Sequence, residues 1–270
     1  MRCPYCFENG IKENKSYMTS ETANDVVTWL MKEIQQYQPK YFSIAFSGGE
    51  PLLNLEAVRT IISKISAYCS ENGIFFQFGL LTNGTIKIST EDAALFQRYG
   101  LRFIQYTIDG DKEVHNKRRV LTDGSYDIII QNMIDNARNM DIETVIRINI
   151  DQDNHQSISH LLEEINALEL PNVTVDFAVR FDTPCDKYNC NSSVANSQSI
   201  VKYIKESMQT ARELGINHSR RYTSDTPCLA VVPRQFVIDP VGDLYKCAAF
   251  AGEKKFSVGS IYNDSISNTM

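Results

Sequence analysis

The stretch Tyr41-Phe42-Ser43-Ile44-Ala45-Phe46-Ser47-Gly48-Gly49-Glu50-Pro51 joins a short apolar run to a polar, glycine-rich turn. Residues 41–46 have the length and the aromatic and β-branched content of a buried strand. The two glycines that follow let the backbone turn tightly and approach a ligand closely. The same unit, a strand ending in a polar turn and followed by a helix, recurs on the C-terminal side of this stretch.

On its N-terminal side, Ala23, Val26, Val27, Leu30, Met31 and Ile34 follow helical spacing and predict a helix over 20–37, with Thr19 or Ser20 as N-cap. On its C-terminal side the pattern predicts a helix at 54–72 and a strand at 74–81 that ends in Thr82-Asn83-Gly84. A helix at 90–99 and a strand at 103–108 ending in Asp109-Gly110 come next. Helices at 125–140 and 156–168 then alternate with strands at 143–150 and 173–179. Five strands, each separated by a helix, predict an α/β fold with a parallel sheet and right-handed crossovers, open or curled into a barrel. Ligands in such folds bind at the C-terminal edge of the sheet, which would gather Cys3–Cys6, Gly48–Pro51, Asn83 and Thr107–Arg119 on one face.

The pattern changes after residue 180. Residues 181–196 read as a polar loop carrying Cys185 and Cys190, and 197–214 as one more amphipathic helix. The tail carries Cys228, strand-like segments at 235–238 and 244–246 around the turn 239–243, and then Cys247, which reads as a β-hairpin bracketed by thiols. The expected division is residues 1–215 as the main domain and 216–270 as an extension.

With 270 residues, 43% of them hydrophobic, the chain is long enough for one large core. A formal charge of −6 argues against a general nucleic-acid binder, and Lys117, Arg118 and Arg119 form only a local basic cluster. No apolar run approaches the roughly twenty residues that span a bilayer, and no secretion signal opens the chain, so the cytosol is the expected location. Seven cysteines make an odd set that does not suit a complete disulfide framework. Cys69, inside a helical pattern, reads as a small buried hydrophobe. Cys3-Pro4-Tyr5-Cys6 places two thiols on a short turn able to face one soft metal. That spacing alone suits a zinc knuckle, a redox pair or an iron–sulfur cluster.

Taken with Gly48-Gly49-Glu50-Pro51 some forty residues later, Cys3-Pro4-Tyr5-Cys6 resembles the radical S-adenosylmethionine (SAM) enzymes, whose signature is Cys-x-x-x-Cys-x-x-Cys. The resemblance implies a partial (β/α)6 TIM-like barrel, a [4Fe-4S] cluster held by thiolates, and SAM chelated at the open iron and cleaved to a 5′-deoxyadenosyl radical. It makes Cys3 and Cys6 cluster ligands and places Tyr5 near the adenine. Glu50, on the Gly48–Pro51 turn, would accept from the SAM ammonium. Thr107 would bond the ribose, and Arg119, in Thr-Ile-Asp-Gly-Asp-Lys-Glu-Val-His-Asn-Lys-Arg-Arg (107–119), would pair with the SAM carboxylate.

Cys228, thirteen residues, Gly242, four residues and Cys247 resemble the opening of the SPASM or twitch extension, which implies auxiliary [4Fe-4S] clusters and a peptide-modifying enzyme. The implied partners are a precursor peptide or protein and a reductase, flavodoxin or ferredoxin as electron donor, with no nucleic acid and no membrane. Against the family pattern, the first cluster cysteine would fall before Met1, the first barrel strand would lie earlier still, and later extension cysteines would lie beyond Met270. The chain is therefore expected to be truncated at both ends. In anaerobic sulfatase-maturating enzymes an aspartate base follows the hairpin's last cysteine. Here Ala248 follows Cys247, and alanine cannot take a proton, so the resemblance favours thioether or other cross-link formation over formylglycine formation. The alternatives are a sulfatase-maturase-like enzyme and a cluster-free remnant that only binds a peptide.

Overall fold

The computed structural model describes residues 3–6, 17–180, 197–219 and 228–263. Six parallel strands form the main sheet in sequential order: β1 (Tyr41–Phe46), β2 (Phe75–Thr82), β3 (Leu101–Thr107), β4 (Glu143–Ile150), β5 (Val173–Val179) and β6 (Asn217–His218). Each strand pairs with its neighbour in the chain and β6 does not return to β1, which gives the expected partial (β/α)6 barrel. The helices α1 (Ser20–Tyr37), α2 (Leu55–Glu71), α3 (Thr90–Arg98), α4 (Lys112–Arg118), α5 (Tyr126–Asn139), α6 (Ile158–Ala167) and α7 (Ser197–Glu213) precede or connect the strands.

Local chemistry sets the starts of these helices. The Thr19 side chain accepts from the Thr22 amide at 3.0 Å, Ser89 from the Asp92 amide at 3.0 Å, and Asp111 from the Val114 amide at 3.0 Å. Each bond satisfies one of the donors that a helix N-terminus leaves open. α1 ends where Gln38 takes up a left-handed conformation and returns its amide to the Ile34 carbonyl.

Alternation along β4 sorts its faces. Ile146, Ile148 and Ile150 are fully buried in the main core, whereas Arg147 and Asn149 lie on the opposite, half-buried face. The main core also takes Leu80, Ile104, Ile129, Met133, Leu161, Val175 and Phe177. A second cluster seats α1 on α2 through Ala23, Val26, Val27, Ile61, Ile65 and Cys69, so Cys69 is the buried apolar thiol that its helical position predicts.

Three findings extend or correct the sequence reading. Strand β6 has two residues, too short for a periodicity to register, and it lies just past residue 215, the expected end of the main domain. The seven-residue α4 was not expected, because it carries no apolar stripe and forms on its Asp111 cap. The tail is not a simple hairpin. Its strands β7 (Val237–Ile238), β8 (Asp243–Tyr245) and β9 (Gly259–Ser260) make a three-stranded antiparallel sheet, with Cys228 and Cys247 outside the strands. Cys185 and Cys190 lie outside the described residues. Among the described residues no helix is long and apolar enough to cross a membrane.

Candidate functional site at the C-terminal edge of the sheet

Because all six strands are parallel, their C-terminal ends open on one edge. The turn after β1 brings Glu50 there, β2 ends in Thr82 and Asn83, β3 in Thr107 and Asp109, β4 in Asn149 and Asp151, and β5 in Arg180.

Asp109, fully buried, joins these ends. Its Oδ1 accepts from the Asn149 amide at 2.9 Å and from Asn149 Nδ2 at 3.2 Å, and its carbonyl accepts from Asn154 Nδ2 at 2.8 Å. The Tyr5 hydroxyl donates to Oδ2, and Arg119 Nη1 lies 4.0 Å from the same oxygen. Arg119 Nη1 also donates to the Tyr5 oxygen at 2.9 Å. The next residue, Gly110, sits at φ +147°, and a Cβ there would meet Ser157 Oγ at 2.5 Å and Val114 Cγ1 at 2.8 Å, so only glycine fits.

His115, fully buried on α4, locks the loop from beneath. Its Nδ1 accepts from the Asp109 amide at 3.3 Å, so Nε2 carries the proton toward Ser125 Oγ at 3.0 Å, and Ser125 donates onward to the Arg119 carbonyl at 3.0 Å. Burial, reinforced by the nearby Arg119 charge, pushes the imidazole down to about 4. The folded value lies below the usual 6.5, so stability is complete above pH 6.5 and is lost as pH falls from there toward 4. His115→Gln is therefore expected to flatten the acid limb of a urea-unfolding series by about 3 kcal/mol between pH 7 and 4 relative to the parent. An unchanged acid limb would rule out a buried neutral imidazole.

Glu50 is held where two strand ends meet. Its Oε1 accepts from the Leu52 amide at 3.0 Å, Oε2 accepts from the Asn83 amide at 2.7 Å, and Thr82 Oγ1 lies 2.9 Å from both oxygens. Burial raises its carboxyl above the ordinary range despite these donors and the Arg119 charge, which act to lower it. Gly48 at φ +121° makes the turn, and a Cβ on Gly48 or Gly49 would meet nothing within 4 Å among the described residues, which leave open space over both glycines.

Cys3 and Cys6 are joined across a tight turn by the Cys6 amide donating to the Cys3 carbonyl at 3.1 Å. Burial raises the Cys3 thiol, and Arg119 is the main opposing influence. The Tyr5 ring between them lies 5.6 Å from the Arg118 guanidinium and 5.6 Å from that of Arg180. Both cations bind Asp151: Arg118 in bidentate fashion at 3.0 and 2.8 Å, Arg180 through Nη1 at 2.6 Å. Arg119 Nε is buried and has no hydrogen-bond partner among the described residues.

The structure thus brings together Cys3, Tyr5, Cys6, Asp109 and Arg119, and the Arg119 charge acts on both Cys3 and Glu50. Thr107 closes β3 in register with Arg147. Cys228 is exposed and Cys247 half-buried beside the small sheet, and no set of three or more Cys, His, Asp or Glu ligands gathers among the described residues. Sequence reasoning missed Asn149, Asp151, Asn154 and Arg180. The available signal was position, since each of the four lies at or within a few residues of the end of β4 or β5.

Comparisons with known proteins place the chain in a family. Residues 1–165 match the radical SAM superfamily. The chain is 26% identical over 172 residues to an Fe-coproporphyrin III synthase of Methanosarcina barkeri (strain Fusaro / DSM 804), covering 64% of this chain and 41% of that protein. It is 28% identical over 137 residues to a cysteine-type anaerobic sulfatase-maturating enzyme of Clostridium novyi (strain NT), covering 49% and 36%. The chain thus spans about two fifths of the length of these curated relatives. The solved structure described as native anSMEcpe with bound AdoMet and Kp18Cys peptide superimposes with a TM-score of 0.77 at 19% identity, over 98% of this chain and 75% of that one. With the family model matched across residues 1–165, more than half of its length, the chain belongs to the radical SAM superfamily.

Proposed function

We propose that this chain binds a [4Fe-4S] cluster and SAM at the C-terminal edge of its sheet and uses them to modify a ribosomal peptide or a protein by forming a thioether or another cross-link. When bound, the pair supplies one-electron cleavage of the sulfonium and a carbon radical that abstracts hydrogen from the substrate. The observation that carries the reading is that two soft thiols, the half-buried Glu50 carboxylate and a buried guanidinium, whose Nε has no partner among the described residues, stand at one edge.

The donor set fits the two cofactors. Cys3 and Cys6 would hold iron from one turn, and the Arg119 charge opposes the burial that raises the Cys3 thiol. Arg119, with Nε open, would pair with the SAM carboxylate. Glu50 would face the ammonium while its amide donors fix its orientation. Thr107 would reach the ribose, and the Tyr5 ring would line the adenine. The open space over Gly48 and Gly49 is room for a close approach. Cys228 and Cys247 would serve an auxiliary cluster, and a reductase, flavodoxin or ferredoxin would supply the electron.

Formylglycine formation on a sulfatase is the second reading, favoured by the likeness to the Clostridium novyi enzyme. Against it, Ala248 follows Cys247 and begins a short 3-10 turn, where it offers no base.

The test is anaerobic reconstitution with iron and sulfide, then reduction with SAM present. The expected product is 5′-deoxyadenosine, and a colourless protein that cleaves no SAM would sink the proposal. Glu50→Gln should keep the iron and weaken SAM binding about tenfold or more by equilibrium dialysis, because a charge-assisted contact is lost. Unchanged SAM affinity would remove Glu50 from the site.

A further inference from the structure

Two like-charged side chains lie 5.6 Å from one aromatic ring, and one carboxylate bonds both. Arg118 comes from the last turn of α4 and Arg180 from the end of β5, 62 residues on, so no local structure keeps them together. Unpaired, the two guanidiniums would repel each other. Asp151 prevents this by accepting two bonds from Arg118 and one from Arg180. It is itself held, since its amide donates to Asn154 Oδ1 at 2.9 Å and its Oδ1 accepts from the Asp153 amide at 2.8 Å. The ring beside the two cations is Tyr5, the residue just before Cys6 in the two-thiol turn.

We propose that Asp151 is a positioning residue for the Cys3–Cys6 turn: it clamps Arg118 and Arg180 beside the Tyr5 ring and so fixes the direction in which the two thiols face. The proposal deepens the reading of this turn as a cluster site. Asp151 touches neither thiol, and it acts through the two arginines and the ring.

Neutralising Asp151 removes the carboxylate that two partly buried guanidiniums share, while Arg180 keeps its 3.9 Å contact with Asp153. Breaking a buried pair is strongly destabilising, but Arg180 keeps some access to water, so the turn is expected to open about tenfold more often. The experiment compares the full-length apo protein with its Asp151→Asn and Asp151→Glu variants by timed alkylation with iodoacetamide, reading each cysteine by mass spectrometry. Asp151→Asn should raise the alkylation rate of Cys3 about tenfold and leave that of Cys69 unchanged. Asp151→Glu, which restores the charge, should recover most of the protection. In a Tyr5→Leu background the same Asp151→Asn change should have little further effect, the non-additivity expected of residues that act through one another. Equal rises at Cys3 and Cys69, no rise at Cys3, or full additivity with Tyr5→Leu would each overturn the proposal. The alkylation needs no cluster, so it reports on the clamp even if reconstitution shows that the protein takes up no iron. With reconstituted protein, Asp151→Asn should alter the visible spectrum of the cluster and Asp151→Glu should restore it.

Discussion

Cys6→Ala is expected to give a folded protein that no longer assembles a stable iron–sulfur cluster, the largest functional change anticipated for any single substitution here. Cys6 is half-buried and its side chain is small, so its removal leaves little cavity and the fold should persist. The thiolate has no replacement, because no set of three or more Cys, His, Asp or Glu side chains gathers among the described residues. Iron and acid-labile sulfide per chain, together with the visible absorption band, measure the loss. Cys3→Ala should behave alike. Cys69→Ala is the control: that thiol is buried between α1 and α2, and its loss should cost stability without affecting iron uptake. Cys6→Ala protein with wild-type iron content and SAM cleavage would refute the ligand assignment.

Asp109→Asn is expected to produce the largest loss of stability, about 3–5 kcal/mol by urea unfolding of the apo protein. The carboxylate is fully buried and serves as acceptor for Tyr5 and for two donors of Asn149, with Arg119 as its cationic neighbour. An amide keeps the shape but removes the charge opposite Arg119. It also puts an NH2 group against either the Asn149 donors or the Tyr5 hydroxyl. Because Tyr5 belongs to the Cys3–Cys6 turn, the same change should also loosen that turn. A loss below about 1 kcal/mol would mean that Asp109 is not the hub of this edge.

The alternation of strands and helices was legible because it rests on spacing within a few turns of chain, as in Ala23–Ile34 and Tyr41–Phe46. Elements with no such periodicity escaped. The two-residue strands β6 and β9 exist only through their partners, and α4 through its Asp111 cap and the burial of His115 beneath the loop. In the site, the two-thiol turn, Gly48–Pro51 and Arg119 could be named from the sequence because each is a local motif.

The partners that Lys117, Arg118 and Arg119 take within the protein could not be read from the sequence. Along the chain they are three adjacent cations. In the structure Lys117 points to solvent and pairs with Glu113 on its own helix, Arg118 turns to Asp151, and Arg119 turns to Tyr5 beside Asp109. By itself the sequence determined the layered fold and the residue types that stand at the C-terminal edge of the sheet, since hydrophobic period and glycine turns act over short distances. Only the tertiary structure decided which charges meet. A buried guanidinium takes its partner from whichever strand end the parallel sheet sets beside it, and for Arg118 that partner lies 33 residues away.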